Sequence, residues 1–98
     1  MADDRNDALM LYLGVGISPY PQRDPQRLVL KYGEEKGLDL VTYSEAILRE
    51  LYEQEPDWSV DDLAGATRRA STAVADNHPE LSNDAVEALK WSYSWDWK

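Results

Sequence analysis

The sequence has no cysteine, no phenylalanine and one histidine, and its longest apolar run is the short stretch from Ala8 to Leu13. Without cysteine, disulfide scaffolds, thiolate metal sites and cysteine nucleophiles are excluded. The apolar run is far too short to cross a bilayer, which takes about 20 residues. Basic residues are also scarce: 10 Lys and Arg stand against 19 Asp and Glu, for a net charge of −9. No basic stripe accompanies the aromatic residues, so nucleic-acid binding is disfavoured. The start, Met1-Ala2-Asp3-Asp4, is acidic, whereas a secretory signal opens with positive charge. The expectation is a cytoplasmic protein without a membrane segment.

A chain of 98 residues makes one domain, here taken as residues 1–98, with an expected radius of gyration of roughly 13 Å. Hydrophobic residues form 43% of it and ten residues are Trp or Tyr, which is too apolar for a disordered chain. There is no internal repeat and no low-complexity tract.

Helix signals dominate. Thr42-Tyr43-Ser44-Glu45 has the spacing of a capping box, with Ile47, Leu48, Leu51 and Tyr52 as the apolar stripe behind it and Pro56 as its stop. Ser59, followed by Asp61 and Asp62, marks a second start, with Trp58 and Leu63 at staple spacing. Val60, Leu63, Thr67, Ala70 and Val74 line that helix to about Asn77. Ser82 marks a third start, flanked by Leu81 and Val86, with Leu89 and Tyr93 continuing the stripe. Upstream, Asp24-Pro25 places a cap before a proline at the first helical position. That helix runs to about Lys36, with Gly37 as its C-terminal cap. Residues 7–13 read as a short helix ended by Gly14, or as a strand, and residues 15–24, with Pro19 and Pro21, as a loop. The expected fold is all-α, a compact orthogonal bundle of four to five short helices. The alternative is α+β, in which Leu38–Val41, the first apolar run and the C-terminal aromatic segment form a small sheet.

Two features point to function. Between Glu45 and Asp62 lie seven acids (Glu45, Glu50, Glu53, Glu55, Asp57, Asp61 and Asp62) and one base, Arg49. A band so negative repels phosphate backbones and attracts basic surfaces. Its plainest reading is a solvated helix face; the sharper one is a docking surface of Glu45, Glu53, Glu55, Asp57, Asp61 and Asp62 for a basic protein, as in an inhibitor of a nucleic-acid enzyme. The second feature is the alternation of Trp91, Tyr93, Trp95 and Trp97 with small polar residues. On a strand all four rings share a face; on a helix Trp91 and Trp95 lie on one side, Tyr93 and Trp97 on another. These rings either complete the core or form, through Trp91, Trp95 and Trp97, an aromatic anchor for a protein partner.

Other motifs carry less. Glu53, Glu55 and Asp57 fail as a calcium loop, since Trp58 takes the glycine position and Ala64 that of the bidentate glutamate. Gly14-Val15-Gly16 lacks its third glycine. Tyr32 and Lys36 have the spacing of a dehydrogenase pair in a chain too short for that fold. Arg68-Arg69-Ala70-Ser71 resembles a kinase site within a packed helix. His78, just past a helix end, is expected to meet the terminal carbonyls rather than to act in catalysis. No catalytic residue, metal ligand or cofactor is assigned. The reading is a small acidic protein-binding or regulatory protein, not an enzyme, with a homo-oligomeric structural subunit and, more weakly, a small motif-free enzyme as alternatives.

Overall fold

The computed structural model describes residues 4–97; Met1–Asp3, noted above for their charge, and Lys98 lie outside it. Five α-helices form in chain order: α1 (Asp4–Leu13), α2 (Pro25–Tyr32), α3 (Glu34–Tyr52), α4 (Leu63–Asn77) and α5 (Asn83–Asp96). Among the described residues there is no strand, so the all-α expectation holds and the α+β alternative does not. The tryptophan tail is the end of α5, and Leu38–Val41 lies inside α3.

Some boundaries follow the caps read from sequence. The Asp24 carboxylate accepts from the Gln26 amide at 3.0 Å with Pro25 in the first turn. The Ser82 hydroxyl accepts from the Ala85 amide at 3.1 Å. Each satisfies a backbone donor that the first helical turn leaves without a partner.

Two expected starts are corrected. Thr42 caps nothing: it sits in the middle of α3, and its hydroxyl donates to the Leu38 carbonyl at 3.1 Å. The break falls earlier, at Gly33, whose φ of +89° is open to glycine and strained for other residues. Gly37, read as a cap, serves close approach instead. A Cβ there would lie 2.7 Å from the Val29 Cα and 2.8 Å from the Leu28 carbonyl oxygen. Its absence lets α3 fold back tightly on α2. Ser59 likewise starts no helix. Its amide and hydroxyl both donate to the Asp57 carboxylate, at 3.1 and 2.5 Å, closing a local turn that competes with helix. The cap of α4 is Asp62, which accepts from the Gly65 amide at 2.8 Å. The supposed staple therefore does not form, and Trp58 and Val60 lie outside the core at 53% and 67% exposure.

The long α3 is the centre of the bundle and packs against all four other helices. The core comprises Leu9 and Leu13 of α1, Leu28 of α2, Ile47, Leu48 and Leu51 of α3, Val74 of α4, and Leu89 and Tyr93 of α5, all essentially inaccessible. Each such side chain contributes roughly 1.5–3 kcal/mol by burial. Ala66, Ala70 and Ser71 of α4 and Ala85, Ala88 and Ser92 of α5 are also buried, and small residues let those two helices approach closely. The radius of gyration is 13.4 Å and the extents are 45 × 27 × 19 Å, so the bundle is elongated, with distinct ends.

Candidate functional site: an aromatic and acidic end of the bundle

At one end, the C-terminal turns of α5 meet the 53–62 connection and the 14–24 loop. Ring contacts lead outward from the core. Tyr52 stacks on buried Tyr93 at 5.9 Å between centroids, Tyr93 meets Trp97 at 6.3 Å, and Trp97 meets Trp58 edge-on at 6.3 Å. Alongside, Tyr20 of the loop stacks on Trp95 at 6.1 Å. The Tyr93 hydroxyl donates to the Gln54 carbonyl at 2.6 Å, which ties the acidic connection to α5. The helical spacing thus divides the tail. Tyr93 is core, whereas Trp95 and Trp97 are 43% and 40% exposed. Trp91 lies elsewhere, half-buried over a hollow that it lines with Met10, Val15, Asp84, Glu87 and Ala88.

The acids divide as well. Glu45 accepts from the Tyr12 hydroxyl and pairs with Arg23 at 3.2 Å, fastening α1, the loop and α3 together. Asp61 pairs with Arg69 at 3.0 Å. Asp57 and Asp62 close a turn and cap α4. Glu53 and Glu55 are exposed and make no side-chain ion pair or hydrogen bond among the described residues. Asp96, absent from the sequence-derived set, joins them: with Glu53, Arg23, Glu45, Arg49 and Tyr52 it lines a shallow cleft of about 500 Å³. Burial, and after it the Asp96 carboxylate, pushes the Tyr52 hydroxyl up to about 12. Tyr93 is also raised, by burial first and then by the negative charges of Asp61 and Glu55. The same carboxylates therefore act on the aromatic rings. Sequence reasoning missed the exposure of Trp58 and Val60 because Trp58 fitted a staple with Leu63 and Val60 the apolar stripe of the helix; the competing signal was Asp57 two residues before Ser59.

A separate polar cluster surrounds His78. Its Nε2 is 2.6 Å from Glu50 and its Nδ1 is 3.2 Å from Glu80. The Tyr43 hydroxyl donates to the same Glu80 oxygen at 2.6 Å, and the Asn77 amide to Glu50 at 2.7 Å. Asn6 of α1 donates to the Glu80 carbonyl and accepts from the Ser82 amide, both at 2.9 Å. The expectation that His78 serves the helix carbonyls is corrected: its ring bridges two carboxylates. The hydrogen bond that the ring donates to Glu50 raises the His78 pKa, and Glu50 and Glu80 are both lowered, chiefly by Asn77 and Tyr43 respectively. With every member bonded to another, the cluster joins α1, α3 and the end of α4. Ser71 of the kinase-like motif is fully buried and donates to the Arg68 carbonyl at 3.1 Å.

Among the described residues, no group of three or more acidic or histidine side chains is placed to hold a metal ion. Nor is any helix long and apolar enough to cross a membrane. What the aromatic end offers chemically is a surface: exposed indole rings bordered by unpaired carboxylates. No family model, no curated protein and no solved structure matches this chain.

Proposed function

We propose that this is a protein-binding, regulatory module that engages a basic partner through the aromatic and acidic end of the bundle. One observation carries the reading. The acidic connection and the tryptophan tail, about forty residues apart in sequence, meet where Trp58 touches Trp97, Gln54 accepts from Tyr93 and Glu53 lines a cleft with Asp96, and Trp58, Trp97, Glu53 and Glu55 are all exposed there. Exposed large aromatics are the residue type most often found at binding hot spots. Unpaired carboxylates around them steer a cationic surface in and speed its encounter. The tied acids, Glu45, Asp57, Asp61 and Asp62, act in this reading by shaping the end and contributing to its field rather than by direct pairing. Trp91 falls outside the surface.

The test is affinity capture from the native host at low salt, comparing the wild-type chain with a Glu53→Gln/Glu55→Gln variant and with Trp58→Ser. A basic protein recovered by the wild type and lost with both variants supports the reading. Recovery that ignores all three substitutions, or of nothing basic, overturns it. Sedimentation at two concentrations covers self-association through the same rings; a dimer abolished by Trp58→Ser would replace the basic partner with a second copy of the chain.

A further inference from the structure

Four cations of this molecule lie over aromatic rings: Arg5 over Tyr43 at 5.4 Å, Arg23 over Tyr52 at 5.5 Å, and Lys31 and Lys36 over Tyr32 at 5.5 and 5.6 Å. Every one of those rings is a tyrosine. Indole is the better acceptor for a cation, yet among the described residues neither Trp58 nor Trp97 carries one. Both are exposed, and they meet edge-on with their planes at 67°, a contact that occupies at most one face of one of the two rings. Glu55 and Asp57 flank Trp58 in sequence, and the Glu55 carboxylate has no partner among the described residues. From this juxtaposition we infer that the Trp58–Trp97 pair is a receptor for an arginine side chain of the partner. The inference rests on the proposed binding reading and names the chemistry it uses.

The choice of arginine follows from the two demands of the site. A guanidinium is planar, stacks on an aromatic face and is weakly hydrated, while its N–H groups form forked hydrogen bonds to carboxylates, of which Glu55, three residues before Trp58 in sequence, is the free one. A lysine ammonium carries the same charge but is more strongly hydrated and has no flat face to lay on indole. The carboxylates attract either cation; the rings discriminate between them.

Calorimetric titration with three peptides of equal length tests this: oligo-arginine, oligo-lysine and oligo-citrulline, the last a neutral near-isostere of the first. Wild-type protein is expected to bind the arginine peptide roughly two- to five-fold more tightly than the lysine peptide for each ring engaged, and the citrulline peptide weakest. Trp58→Leu, a change on an exposed turn, is expected to bring the arginine affinity down to the lysine level, with an unchanged thermal melt showing that the fold is intact. Trp97→Leu repeats the test on the second ring. Equal affinity for arginine and lysine in the wild type overturns the inference, as does a preference that survives Trp58→Leu. If in that case Glu53→Gln/Glu55→Gln still weakens both cationic peptides, the acidic docking surface stands without an arginine receptor; if it weakens neither, the binding reading fails too.

Discussion

Two carboxylates around a histidine favour its charged form, and that gives its contribution to stability a defined pH window. The folded pKa of His78 lies above its ordinary 6.5. Its contribution is therefore complete below the unfolded value and is lost as pH rises through the raised one. Glu50 and Glu80 are lowered from 4.5, so theirs is complete above that value and lost as pH falls through their folded pKa values. The cluster is at full strength between about pH 4.5 and 6.5. His78→Gln, which keeps hydrogen bonding and removes the charge, is expected to cost about 1 kcal/mol near pH 6. The difference from wild type should shrink as the buffer is taken to pH 9. Urea denaturation at both pH values measures it; a cost as large at pH 9 as at pH 6 would assign the cluster's role to packing rather than charge.

At the scale of elements, two hydroxyl or carboxylate residues that look alike in sequence have opposite consequences. Asp62 holds the first turn of α4, so Asp62→Ala is expected to cost about 1 kcal/mol. Thr42, with the same apparent credentials, is exposed in the interior of α3. There Thr42→Ala should be neutral or stabilise by a few tenths of a kcal/mol, because alanine has the higher helix propensity. Thermal melts of the two variants decide; destabilisation by Thr42→Ala would restore the capping box. The pair also explains what was legible. Apolar stripes at helical spacing identified α3, α4 and α5 and most of their large buried apolar residues, because burial on one face is a long-range average. Caps are single-residue signals, and one competing hydrogen bond moves them: Asp57 takes Ser59, and Leu38 offers Thr42 a carbonyl. The cap expected at Gly37 falls at Gly33, because sequence does not reveal which glycine another backbone approaches. The acidic band and the tail were both visible. Their convergence was not, since it depends on how α3 and α5 cross, and the exposure of Trp58 depended on a staple that the Asp57 turn prevents.

At the scale of the whole molecule, the net charge of −9 sets two effects of salt against each other. The ion pairs Arg23–Glu45, Lys36–Asp4, Arg69–Asp61 and Lys90–Glu87 are at least partly open to solvent, and such pairs are individually worth about 0–1 kcal/mol. Screening weakens them. It also relieves the mutual repulsion of the 19 acids, which acts over distances up to about 10 Å at 0.1 M salt and opposes the compact state. With roughly two acids for each base, the repulsion outweighs the pairs. The melting temperature is therefore expected to rise by a few degrees between about 0.01 and 0.3 M sodium chloride, where the Debye length falls several-fold. Affinity for a cationic partner must move the other way over the same range, because screening removes the attraction between the acidic end and its ligand. Calorimetric scans and peptide titrations in one salt series test both signs. A melting temperature that falls with salt would make these ion pairs the dominant electrostatic effect, and with it the acids would be structural members of the fold rather than a surplus held toward another molecule.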